Sequence, residues 1–370
     1  MALAAIALPL LALLGLGRDW RITSEATATF AAFAMLLSWL VLGAAWSVAP
    51  VSAAGKLLDA VLLGPPMLLA GILAGADPAA RRGAAAAMLA AGLVVGLSVA
   101  LGLASGTVVL GGPVEADRIR VQYQHAGLVM AGAAGIAALE SLHGPRFRRP
   151  LVLALVPALA VLALLPGGRA AFLALALAAA MAPALALLRS GRTAAALLPP
   201  VLIVLAGLAG ALTLAAQPSL ADGLRTAMRL IDGNVGEASL RLPLWRSALD
   251  LAGRAAPFGL GTGGFPVAAG FGDWRGRYPH NHALEALVEL GLPGLLLWLG
   301  CWGIALRGAL RHWCDLAPER VGTIAALALP MMLTIMVSTD LGNRMAWFAL
   351  GLVLSLSVEA RPLARAEAAA

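Results

Sequence analysis

A histidine and two arginines are the residues of this chain best suited to chemistry on an anionic, hydroxyl-bearing substrate. His280 stands in Pro279-His280-Asn281, where a long polar segment gives way to an apolar run. An imidazole titrates near neutrality, so it can take or orient the proton of a hydroxyl. Pro279 stops the preceding element and Asn281 is suited to cap the next helix, which would hold the ring at the mouth of a helix bundle. A plain structural hydrogen bond is the competing reading of this histidine. Arg169 lies in the turn Leu165-Pro166-Gly167-Gly168-Arg169-Ala170, with no acidic residue near it in sequence. Its planar guanidinium suits a phosphate group; a snorkelling interfacial arginine is the alternative. Arg241 shares one face of a helical stretch, 240–251, with Trp245 four residues on. That indole suits stacking on a guanidinium or a sugar, or anchoring at a membrane interface.

Around these lie weaker candidates. Trp274, Arg275, Arg277 and Tyr278 form an aromatic-basic patch suited to a carbohydrate groove or to an interfacial belt. His280, His282 and Asp273 could supply three metal ligands, but their spacing fits no compact signature, and no metal is expected. The run Gly259-Leu260-Gly261-Thr262-Gly263-Gly264 is too rich in glycine to be helical. No Lys-Ser/Thr pair follows it, so it is a weak candidate for a phosphate cradle. Cys301 and Cys314 lie near one turn, and neither a disulfide nor a metal pair is expected from them.

The elements that must position these residues are membrane helices. Apolar residues make up 61% of the 370 and charged residues 12%, and runs of about 17 to 25 apolar residues recur along the chain. The expected spans are 2–17, 28–48, 55–75, 83–104, 124–142, 150–166, 170–188, 194–215, 283–304, 321–338 and 345–358. Residues 1–17 lack a basic leader region and are read as the first span, not as a signal peptide. The net charge of +7 is almost wholly arginine, since Lys56 is the sole lysine. Much of that charge follows topology, because cytoplasmic loops collect arginine, so nucleic acid is not inferred as a partner. Arg81-Arg82, Arg146 to Arg149, Arg189, Arg192, Arg307 to Arg320, Arg361 and Arg365 fall on that side. Arg169, the segment 216–282 and Asp340 to Arg344 fall on the other. The division expected is 1–215 and 283–370 as membrane helices around a loop domain at 216–282. Within that loop, 219–232 has the pattern of a short surface helix with Ser219 as its cap. The alanine-rich end after Glu359 is expected to fray. The fold class is all-α, a polytopic bundle of about eleven or twelve spans.

Several pieces, taken together and in order, resemble the O-antigen ligase superfamily. His280-Asn281 followed by Gly291-Leu292-Pro293-Gly294 is similar to its signature. Trp46-Ser47-Val48-Ala49-Pro50 resembles an early Trp-Ser-x-x-Pro, and Gly168-Arg169-Ala170 a Ser-Arg-Gly/Ala turn with glycine in place of serine. Arg241-x-x-Leu244-Trp245 with Ala248, the run Pro257 to Phe265, and Asp340-Leu341-Gly342-Asn343-Arg344 resemble three further motifs. The resemblance covers residues 40 to 350 approximately. It implies a multi-pass protein of the bacterial inner membrane whose site faces the periplasm and which needs no cofactor. The donor implied is a glycan on undecaprenyl diphosphate, with a lipid A–core sugar or another glycan as acceptor, among membrane lipids. His280, Arg169 and Arg241 would be catalytic, and Trp245, Asn281, Arg275, Arg277 and Arg344 would bind substrate. Transfer would invert the anomeric centre without a metal, as a ligase or, alternatively, a polymerase. A transporter would place ionisable residues at mid-membrane on broken helices, and a purely structural membrane partner would not need an ordered 216–282 loop.

Overall fold

A computed structural model describes residues 18–106, 123–143, 149–164, 169–216 and 241–362. In chain order the elements are a strand β1 (Arg18–Ile22) and helices α1 (Ser24–Gly43), α2 (Pro50–Leu57), α3 (Gly64–Ala76), α4 (Pro78–Ala104), α5 (Tyr123–His143), α6 (Arg149–Leu164), α7 (Arg169–Arg189), α8 (Thr193–Ala196) and α9 (Leu198–Ala216). They continue with α10 (Arg241–Arg254), α11 (Phe265–Ala268), α12 (His282–Arg311), α13 (Pro318–Val337), α14 (Arg344–Ser355) and β2 (Val358–Pro362). The protein is an all-α membrane bundle; among the described residues the one sheet is the antiparallel pair β1–β2. Val358 to Pro362 pairs residue by residue with Ile22 to Arg18, so the first residues after Glu359 have backbone partners; the rest of the tail expected to fray lies outside the described residues.

Among the described residues, eight helices are long and apolar enough to cross a membrane, and two shorter apolar helices, Arg149–Leu164 and Arg344–Ser355, accompany them. Each falls on a segment expected from hydropathy. The expected span 2–17 and the surface helix 219–232 lie outside the described residues. The long glycine-rich run is indeed non-helical, and the helix expected at 240–251 runs over Arg241–Arg254.

The described residues form two compact units. One comprises those of Arg82–Ser239 and Leu316–Thr334. Its centre is alanine-rich, with Met130, Ala131, Ala134, Leu159, Ala174 and Leu175 packed together. Small side chains let helix backbones approach closely where lipid offers no competing hydrophobic drive. The other unit draws on Met1–Arg81, Leu240–Asp315 and Ile335–Ala370. Here α12 packs along α1 and α3 along α14, and it holds most of the candidate site.

Caps set where these helices begin. Thr23 Oγ1 accepts from Ala26 N, Asn281 Oδ1 from Leu284 N at 3.0 Å, and Asn343 Oδ1 from Met345 N at 2.9 Å. Pro50 occupies the first turn of α2, where a missing N–H costs nothing. Asp273, from a distant loop, accepts from Val51 N and Ser52 N at 2.7 and 2.8 Å. A carboxylate at a helix N-terminus satisfies free N–H groups and opposes the helix dipole.

The decisive irregularity is inside α12. Gly291 adopts φ 68°, ψ −165°, a conformation that is essentially glycine's alone, and Pro293 has no N–H to return to Glu289. The carbonyls left without helical donors are taken by other segments. Val288 O accepts from Leu260 N at 2.9 Å and Glu289 O from Gly261 N at 2.8 Å. Leu290 O accepts from Trp39 Nε1 at 2.8 Å, and Leu292 N donates to Pro257 O at 2.9 Å. The glycine-rich run therefore docks on the break as a strand would. A Cβ on Gly291 would collide with Pro257 O and Phe258.

Gly291→Ala should accordingly lower stability by about 2 kcal/mol or more, read as a lower thermal unfolding midpoint in detergent. Gly303→Ala, on the same helix with open space around its added methyl, should leave the midpoint unchanged or raise it slightly. Equal midpoints for the two variants would show that the break does not constrain the fold.

Candidate active site

The segment 278–285 is laced to the turn 336–341. Tyr278 Oη donates to Ser338 O at 3.0 Å, and Asn281 Nδ2 donates to Met336 O at 3.1 Å. His282 Nε2 lies 2.9 Å from Thr339 Oγ1, and Leu341 N donates to Glu285 Oε2 at 3.1 Å. From the other side, Trp245 Nε1 donates to Pro279 O at 2.7 Å. Within this frame His280 is the one described non-glycine residue at positive φ, 58°. Such a conformation is uncommon outside glycine, though histidine and asparagine adopt it more readily than most. It persists because neighbours on both sides fix the chain.

The His280 ring is half-buried against Tyr278, ring centroids 4.1 Å apart. Its Nδ1 lies 3.5 Å from Ser338 O. A carbonyl only accepts, so the contact suits a ring with its proton on Nδ1 and its lone pair on Nε2. Burial pushes the His280 pKa below the ordinary imidazole value. The positive charges of Arg241 and Arg277 push the same way, against the opposing pull of Ser338 O and Asp340. Together these effects disfavour the imidazolium form. Burial also raises the Tyr278 phenol, which stays protonated as a donor.

Arg241 is the first residue of α10, and its charge acts on both His280 and Tyr278. The helix is fixed beneath it by Leu244, Ala248 and Ala252, spaced one turn apart and packed with Phe265 and Val288. That stripe accounts for the leucine and alanine of the Arg241-x-x-Leu244-Trp245-x-x-Ala248 pattern, while Trp245 ties α10 to the histidine's own loop. Arg241, Trp245, His280 and Asn281 are therefore brought together.

The two arginines of the 274–278 patch, indistinguishable in sequence, have different surroundings. Arg275 is tied inward: Nε lies 2.8 Å from Asp340 Oδ2, and Nη1 lies 2.8 Å from both Asp59 Oδ2 and Gly55 O. Arg344 Nη1 sits 3.6 Å from Asp59 Oδ1, so these two arginines and two aspartates form one network. Arg277 instead lies 5.5 Å over the rings of Phe271 and Trp274, both exposed. Arg169 begins α7 in the other unit; its side chain lies outside the described residues.

The three residues considered as metal ligands go separate ways. Both Asp273 oxygens accept backbone N–H groups of α2, and these bonds hold its carboxyl below the usual range although burial opposes them. His282 is fully buried on Thr339. Among the described residues, no group of three or more His, Cys, Asp or Glu could hold a metal ion.

Three features escaped sequence reasoning. The break at Gly291 was signalled only by Gly291-Leu292-Pro293 inside an apolar run. The role of Asp273 as a cap carried no local signal at all. The buried partners of Lys56, Glu285 and Glu289, were visible only as two acidic residues one turn apart in a spanning helix.

Residues 153–299 match the family model described as O-antigen ligase. No curated protein matches the chain. The matched region contains Arg169, Arg241, the glycine-rich run, His280 and the break at Gly291. The apolar helices make this chain a multi-pass membrane protein, and its residues 153–299 are similar to the O-antigen ligase family.

Proposed function

We propose that the protein transfers a glycan from undecaprenyl diphosphate to an acceptor hydroxyl at the periplasmic face of the bacterial inner membrane. The acceptor is a sugar of lipid A–core, which makes the protein an O-antigen ligase. The observation that carries this reading is the His280 ring, its Nδ1 3.5 Å from Ser338 O so that Nε2 is unclaimed by that contact, in the field of the cationic Arg241. The match of residues 153–299 to the O-antigen ligase family model supports the chemical class, a ligase- or polymerase-type glycosyltransferase.

The reaction follows from these groups. The acceptor hydroxyl loses its proton to His280 Nε2 as its oxygen bonds to the anomeric carbon. The bond from that carbon to the phosphate oxygen breaks, and the electron pair leaves with the lipid diphosphate. Negative charge grows on the leaving group, where Arg241 supplies a stabilising cation; Arg169 is assigned the same role on the sequence resemblance alone. Attack opposite the leaving group inverts the anomeric centre, and the imidazolium then returns its proton to solvent. Arg277, over the exposed rings of Trp274 and Phe271, is suited to hold acceptor sugars, while Arg275 and Arg344 shape the site through their aspartates. Asn281 acts by capping α12, and Trp245 by holding the histidine's loop. Polymerase chemistry differs only in the acceptor, another lipid-linked glycan.

The test is transfer by purified protein from a lipid-linked donor to a lipid A–core acceptor, with product anomer analysis. Arg169→Lys and Arg241→Lys keep the charge but lose the planar fork, and each should slow transfer roughly a hundredfold, about 3 kcal/mol. Activity should survive EDTA. Retained activity in both arginine variants, or activity lost on chelation and restored by one divalent ion, would overturn the scheme.

A second measurement concerns pH. The base form of His280 is lost as pH falls through its pKa, and that pKa is depressed. The acid limb of kcat/KM should therefore lie below about 6.5, the ordinary histidine value. An acid limb at or above that value would contradict the assignment of His280 as the buried base.

A further inference from the structure

The deepest charges of the site-bearing unit have no part in the chemistry above. Lys56 on α2 is 1% exposed, and Glu285 and Glu289 on α12 are fully buried. The Lys56 ammonium bonds Glu285 Oε1 and reaches Glu289 Oε1 and Oε2 at 2.6 and 2.7 Å. An ammonium has three N–H donors, so Lys56 is saturated and has none left for a substrate phosphate.

The carboxylates hold more than the lysine. Glu289 Oε2 also accepts from Gly263 N at 2.8 Å, and Glu285 Oε2 accepts from Leu341 N at 3.1 Å. Gly263 belongs to the run that satisfies the break in α12. Leu341 belongs to the turn whose Ser338 and Thr339 meet His280 and His282. One ammonium thus fixes, through two carboxylates, the two segments that frame the candidate base. Burying three charged groups is costly, and apolar residues of like volume would pack at least as well. In a spanning helix such groups mark function. What this cluster supplies beyond packing is direction: one oxygen of each carboxylate accepts one backbone N–H.

We propose that Lys56 is a positioning residue for the transfer reaction, acting as a clamp that sets the orientation of His280 through Glu285 and Glu289. The proposal rests on the transferase reading given above. Its two arms are separable. Glu285→Gln weakens the arm to the 338–343 turn, and Glu289→Gln the arm to the 258–265 run. Lys56→Met releases both.

The experiment is amide hydrogen exchange by mass spectrometry on the full-length protein in detergent or nanodiscs, beside the transfer assay. Exchange should rise about tenfold within 338–343 alone for Glu285→Gln and within 258–265 alone for Glu289→Gln. Both segments should loosen in Lys56→Met, with kcat falling at least about tenfold and the KM for donor unchanged. Should Lys56→Met fail to fold, the two glutamine variants carry the test by themselves. Unchanged exchange, equal loosening of both segments by either glutamine variant, or a rise in donor KM with kcat preserved would each overturn the clamp. A wild-type protein that transfers nothing, yet whose variants show the segment-specific exchange, would instead sink the transferase reading and leave the clamp's structural half standing.

Discussion

A helix broken inside an apolar medium must find new donors for every carbonyl it frees, because lipid offers none. In this protein that requirement falls on α12 at Gly291. Three consecutive carbonyls, Val288, Glu289 and Leu290, receive donors from Leu260, Gly261 and Trp39. The glycine-rich run can approach because it carries no Cβ at its points of contact: one added at Gly259 would lie 2.6 Å from Glu289 O. The break, the glycine run and the tryptophan of α1 are one structural device. It fixes the course of the chain from α10 into α12, and hence the loop on which His280 stands.

From that device the site is assembled outward. Val288 and Phe265 pack with Leu244 and Ala248 of α10, the helix that begins at Arg241. Trp245 holds Pro279, and the turn 336–341 closes on the other side. The surroundings then set the chemistry. Burial of the half-buried ring, with the positive charges of Arg241 and Arg277, disfavours the imidazolium form of His280.

Much of this was legible in the sequence, for identifiable reasons. Hydropathy alone located the spans, since the membrane leaves few alternatives to an apolar helix. The cap at Asn281 and the non-helical glycine run followed from local chemistry. What stayed hidden depended on long-range partners. Lys56 stood out as the lone lysine, yet its carboxylates lie 229 and 233 residues away in the chain. Arg275 and Arg277 read as one basic patch, but alternate residues of a tight loop face different ways, one into an aspartate network and one over exposed aromatic rings. Asp273 read as a possible metal ligand because a carboxylate's role as cap to a distant helix leaves no local trace. His282, read in the sequence only as a possible metal ligand, is fully buried on Thr339.

The central claim is that His280 serves the acceptor hydroxyl and not the lipid diphosphate. Donor affinity and transfer rate, measured side by side on His280→Ala with purified lipid-linked glycan, address it most directly. The account predicts that donor binding changes less than about twofold while transfer falls by at least about a hundredfold, as expected for loss of a general base. A His280→Ala protein that no longer binds donor, or one that still transfers at near the wild-type rate, would contradict it.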